Sequence, residues 1–123
     1  MSLQTPLSRV LGHGSAREGV EHWWWQRLTA VALVPLGIWF LIATVSLVGA
    51  SHAQAHAWIT SPFNMVLMIA FGAALLYHAQ LGLQVVIEDY VHLEPAKVTL
   101  LVAVKFLAIL AMIWIVVMLF TAP

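Results

Sequence analysis

Three long apolar stretches, separated by short polar ones, dominate the chain. Residues 28–49, 63–87 and 98–120 hold 22, 25 and 23 positions. The first two contain no Asp, Glu, Lys or Arg, and the third contains only Lys105. A helix needs about 20 apolar residues to cross a hydrocarbon core of about 30 Å, so each stretch can span a bilayer. Pro35 lies inside the first, where a membrane helix accommodates it with a kink. The pattern predicts an all-α membrane protein with three transmembrane helices.

The polar segments orient these spans. Residues 1–27 carry Arg9, Arg17, Glu18, Glu21 and Arg27, with Gly12, Gly14 and Gly19 between them. They read as a loose surface segment leading into a short amphipathic turn. Trp23, Trp24 and Trp25 follow His22. Tryptophan favours the membrane–water boundary, so the triplet marks where the chain enters the bilayer. Residues 50–62 and 88–97 are the two connections. The chain thus divides into an N-terminal segment, 1–27, and an anchor domain, 28–123. Arg9, Arg17, Arg27 and Lys97 share one face of the membrane, and the opposite face has no lysine or arginine. The positive-inside rule puts the N-terminus and 88–97 on the cytoplasmic (or matrix) side, with the C-terminus opposite.

Composition narrows the class. With 63% hydrophobic and 8% charged residues among 123, there is too little polar surface to clothe a soluble domain. A net charge of zero suggests no nucleic-acid partner. The absence of cysteine excludes disulfides, thiolate metal sites, iron–sulfur ligation by this chain and cysteine nucleophiles. No apolar core followed by a small-residue cleavage site appears in 1–27, so no secretory signal is expected. Two glutamates there argue against a transit peptide. Gly37, Ala43, Thr44 and Ser46 in the first span, and Ala70, Gly72, Ala73, Ala74 and Gly82 in the second, would let helix backbones approach closely. Such residues are also ordinary membrane-helix composition. Three helices enclose little by themselves, which implies docking against other membrane helices in a larger bundle.

His78 is the one histidine inside these apolar stretches. It stands nine residues before Ile87, or about 14 Å from the cytoplasmic end, near mid-bilayer. A polar group at that depth costs a few kcal/mol unless it finds a partner. Neutral imidazole is a good iron ligand, and Gly82 and Ala74, one turn to either side, leave room for a flat macrocycle. Intramembrane histidines also serve as proton relays or hydrogen-bond between helices, and spacing alone leaves those readings open. If a haem there has two axial histidines, the second must come from another chain.

Three further residues carry candidate chemistry. Asp89 lies eleven residues after His78, three turns plus about 20°, so the two share a helix face roughly 16 Å apart. Tyr90, turned a third of the way round, could donate its phenol to a quinone carbonyl. A carboxylate beside it could pass protons from water. Glu-Asp-Tyr at a helix end is equally a solvated boundary. Arg27 could pair with haem propionates, or serve as a snorkelling anchor beside Trp25. Lys105 can snorkel to the cytoplasmic side. His52 and His56 are four apart without a third ligand nearby and read as loop residues. His13, His22 and His92 are interfacial and carry no specific signal.

Two motifs resemble a known family. The first is His22-Trp23-Trp24-Trp25-Gln26-Arg27-Leu28-Thr29-Ala30, and the second is His78, a ten-residue gap, then Asp89-Tyr90. Together they resemble the D-type hydrophobic membrane-anchor subunits of succinate dehydrogenase, respiratory complex II, in their alphaproteobacterial form. The larger anchor's Arg-Pro-x-Ser-Pro-His signature is absent. The resemblance implies that His78 is one axial ligand of haem b, with the other from a companion cytochrome b556 anchor. It implies that Tyr90 hydrogen-bonds ubiquinone with Asp89 beside it, and that Arg27 lies near the haem propionates. The partners implied are that C-type anchor, a flavoprotein subunit with FAD and an iron–sulfur subunit, in a bacterial inner membrane. The chain would then serve electron transport and the tricarboxylic acid cycle without catalysing anything alone. The main alternative is a haem-free structural anchor, as in some fumarate reductases. A proton-coupled transporter fits poorly, because all five carboxylates fall outside the apolar stretches.

Overall fold

The computed structural model describes residues 17–122, with side chains from residue 19 onward. Expectations for Arg9, Gly12, His13 and Gly14, and for the side chains of Arg17 and Glu18, lie outside the described residues. The described chain forms α1 (Arg17–Ser46), α2 (His52–Ile59), α3 (Pro62–Tyr90) and α4 (Glu94–Thr121).

Helices α1, α3 and α4 are long and apolar enough to cross a membrane, with mean hydropathies of 2.3, 1.7 and 2.8 over their best windows. At 30, 29 and 28 residues they run about 42–45 Å, so a turn or more of each protrudes from a hydrocarbon core of about 30 Å. The protruding part of α1 differs from the sequence expectation. The stretch read as a loose lead-in is helical from Arg17. Extending an existing helix needs no new nucleus, and no proline interrupts residues 17–34. The first two turns of α1 therefore carry Glu21 and His22.

The first connection is also more ordered than a plain loop. Gly49 turns the chain after α1 at φ 79°, a left-handed conformation open to glycine. Ser51 and Gln54 then form a reciprocal capping box: the Ser51 hydroxyl accepts from the Gln54 N–H at 3.3 Å, and Gln54 Oε1 accepts from the Ser51 N–H at 2.9 Å. That start signal supports the eight-residue α2. Trp58 of α2 stacks on Trp39 of α1, with ring centroids 5.9 Å apart. Helix α3 restarts at Pro62, where a missing N–H costs nothing because the first turn has no acceptor for it.

Helix α3 is the centre of the bundle and packs against both α1 and α4. A Cβ on Gly72 would stand 3.2 Å from Ile115 Cδ1, so the missing side chain sets how closely α4 approaches. Phe40 stacks on Phe71 at 4.8 Å across the α1–α3 seam. Yet among the described residues the only buried apolar side chains are Ala43, Leu81, Ile87 and Leu119. Large apolar groups such as Ile42, Phe106, Trp114 and Phe120 face outward. Such an exterior requires lipid or other apolar helices around it.

Candidate cofactor site

Three polar side chains, Gln26, Thr29 and His78, meet in one layer between α1 and α3. Thr29 and Gln26 of α1 face His78 of α3. Thr29 Oγ1 lies 3.0 Å from His78 Nδ1, and Gln26 Nε2 lies 3.4 Å from His78 Nε2. Thr29 is buried and His78 half-buried, so the imidazole is held against α1 rather than presented edge-on to lipid. Thr29 also donates to the Trp25 carbonyl at 2.7 Å. Gln26 Oε1 and His22 Nε2 are buried without a hydrogen-bond partner among the described residues. One turn beyond His78, a Cβ on Gly82 would meet Gln26 Nε2 at 3.8 Å. The Gln26 amide thus covers both the Nε2 atom and the bare face of Gly82.

These partners fix the register of α1 against α3. His78 is level with residues 26–29, and its neighbour Tyr77 packs edge-on against Trp25 at 5.9 Å. Counting along α3 alone suggests mid-bilayer. The register of α1 against α3 sets the imidazole beside the turn of α1 that follows the tryptophans.

A second polar line runs from the same layer to the end of α3. Gln80, which is buried, donates to Gln84 Oε1 at 3.3 Å, and Gln84 donates to Glu88 Oε1 at 2.8 Å. The residues are four apart and stack on one face. Beside this line lies a cleft of about 330 Å³ lined by Glu21, His22, Trp25, Tyr77, Gln84 and Lys105. A more apolar cleft of about 440 Å³ opens between α3 and α4, with Gln80 and Lys105 on its rim. Lys105, expected to extend to the surface, therefore borders both.

The remaining candidates stand apart from His78. Arg27 is exposed, its guanidinium 4.6 Å from the centroid of the Trp23 ring. Tyr90, 77% exposed, ends α3, and Asp89 beside it is exposed; neither lines the two clefts. No described residue encloses either of them. His52 and His56 sit one turn apart on α2, rings 6.3 Å apart, and no group of three His, Cys, Asp or Glu suited to a metal occurs among the described residues. Sequence reasoning missed Thr29 and Gln26 as partners of His78, and His22, Gln80 and Gln84 as members of the polar layer. The four-residue spacing of Gln80, Gln84 and Glu88 was a usable signal.

An imidazole held between two spans, in a bundle whose apolar exterior needs lipid or other helices, defines an all-α membrane protein with a buried polar site. The chain belongs to the succinate dehydrogenase/fumarate reductase transmembrane subunit family, whose model matches residues 1–120. Its relatives include the succinate dehydrogenase hydrophobic membrane anchor subunit of Rickettsia bellii, 38% identical, covering 87% of this chain and 86% of that one. The protein of the same name in Rickettsia conorii is 34% identical, covering 93% of this chain and 91% of its own. That of Paracoccus denitrificans is 31% identical, over 83% and 79%. Members of this family are subunits of an enzyme complex, and this chain is such a membrane subunit, not an enzyme alone.

Proposed function

We propose that the chain is the hydrophobic membrane-anchor subunit of a succinate:ubiquinone oxidoreductase, with His78 an axial ligand of haem b and Tyr90 a contact for ubiquinone. The observation that carries this reading is the His78 ring itself. It is clamped between α1 and α3, with one nitrogen, Nε2, touched only by a weakly placed amide at 3.4 Å. Metal-bound histidines characteristically have their second nitrogen fixed by a neighbour, which is the role available to Thr29.

Two features of the chain suit a haem. The orphaned Gln26 Oε1 means that moving this side chain sacrifices little. Gly82 offers a backbone surface with no side chain beside Nε2. His78 would hold the iron from this side, and a histidine of a companion cytochrome b556 anchor would hold the other. Arg27, exposed at the same level, would pair with the propionates. Haem b, when bound, supplies a one-electron relay.

At the end of α3, the Tyr90 hydroxyl would donate to a quinone carbonyl, and Asp89 would pass protons from water. Their exposure on this chain suits a pocket whose other walls belong to partner subunits. The flavoprotein and iron–sulfur subunits would dock on that side. We place the chain in a bacterial inner membrane, with 1–27 and 88–97 cytoplasmic, 28–123 as the anchor domain and the C-terminus periplasmic. The competing reading is a haem-free structural anchor, favoured by the fact that both ring nitrogens already have neighbours on α1.

The deciding experiment is a pyridine haemochrome assay on the purified complex carrying His78→Ala, normalised to its flavin. Loss of haem b supports ligation. A parental haem spectrum in the variant rejects His78 as a ligand, and a parental complex without haem b leaves the haem-free structural anchor.

A further inference from the structure

The geometry points to Thr29 as the positioning residue that fixes the His78 imidazole as its Nδ1–H tautomer, leaving the Nε2 lone pair as the group available to a metal. The inference deepens the haem reading above in its last clause only; the tautomer assignment holds for the chain itself.

A threonine hydroxyl has one proton to donate. In Thr29 two backbone carbonyls of α1 accept that proton, Trp25 at 2.7 Å and Gln26 at 3.1 Å, and the shorter bond is to Trp25 four residues earlier. The other described threonines make the same bond: Thr44 to Phe40 and Thr60 to His56 at 2.7 Å, Thr99 to Pro95 and Thr121 to Val117 at 2.8 Å. Thr29 alone is also met by a histidine, at an N···O distance of 3.0 Å typical of N–H···O. With its proton committed, Oγ1 can only accept, so Nδ1 carries the hydrogen. Thr29 is 92% buried, its relative exposure being 8%, so water is a poor substitute for either partner. The opposite edge agrees. Gln26 reaches Nε2 only at 3.4 Å, and its amide can donate to a bare lone pair there. Gln26 sits three residues before Thr29 on the same face of α1, so one helix face reads both edges of the ring.

The test separates the tautomer from the haem. The full chain, labelled with 15N-histidine and purified in detergent without haem, reports the protonation of each ring nitrogen by its chemical shift. His78 is assigned by comparison with His78→Gln. The parental chain should show a protonated Nδ1 and a bare Nε2. Thr29→Ser should keep that pattern, and Thr29→Val, equal in shape without the hydroxyl, should shift the population towards Nε2–H. An Nε2–H tautomer in the parent, or a valine variant with an unchanged pattern, overturns the assignment; if the valine variant fails to fold, the parental spectrum decides. In the complex, Thr29→Val should bind haem some 10–100-fold more weakly than the serine variant. Equal haem affinity in the two overturns the metal-positioning clause. Haem retention in His78→Ala alongside an Nδ1–H parent would reject that clause and the haem reading together, leaving the tautomer assignment standing.

Discussion

Gln26 Nε2 approaches His78 Nε2 to 3.4 Å, while the other amide atom, Gln26 Oε1, is buried with no partner. The contact is at the long limit of a hydrogen bond, and the orphaned oxygen carries a desolvation cost. Gln26 is thus a loosely held cover over the ring. Gln26→Ala should change the stability of the purified complex by no more than about 1 kcal/mol, in either direction. Haem content per flavin should stay at the parental level. Thermal unfolding and pyridine haemochrome assays check this, and a large loss of haem would make Gln26 a required partner of the site.

The α3–α4 seam depends on Gly72, where an added Cβ would lie 3.2 Å from Ile115 Cδ1. That atom is the end of a flexible side chain, so Gly72→Ala needs only a few tenths of an ångström of adjustment. Its effect should be near neutral. Gly72→Leu would drive a branched side chain into α4, at about 1–3 kcal/mol for overpacking. The leucine variant should lower the melting temperature and yield of the assembled complex, and the alanine variant should not. Equal behaviour of the two would mean that α4 does not rely on this close approach.

The three spans are legible in the sequence because lipid forbids charge over a long continuous stretch. Helix α2 is a different case. Its Ser51–Gln54 capping box is present in the sequence, but residues 50–62 carry too few apolar positions to demand a helix by hydropathy. The pairing of Thr29 with His78 is not legible in this way. The two are 49 residues apart, and their meeting depends on the rotation and vertical register of α1 against α3, which average hydropathy does not encode. What the sequence does provide is the chemical oddity, an imidazole amid apolar residues, which has to find a partner somewhere.

Tyr90 offers the most direct test of quinone contact. Its phenol is exposed on this chain, so removing the hydroxyl leaves the packing of α3 untouched. Tyr90→Phe should lower the efficiency of quinone reduction roughly 5–10-fold, the equivalent of one hydrogen bond of about 1–1.5 kcal/mol. Succinate oxidation measured with an artificial dye acceptor should remain at the parental rate. Equal loss of both activities would point to faulty assembly instead of a lost quinone contact.

Orientation can be read without touching the site, because the chain contains no cysteine. Ala53 on α2 and His92 after α3 are both exposed, and they lie at opposite ends of the α3 span. Basic residues flank only the His92 end, which the positive-inside rule assigns to the cytoplasm. In intact cells with a permeable outer membrane, a membrane-impermeant maleimide should label Ala53→Cys and spare His92→Cys. Inverted membrane vesicles should give the reverse. Labelling in the opposite pattern would turn the anchor over and put Asp89 and Tyr90 on the periplasmic face, away from soluble subunits that draw on cytoplasmic succinate.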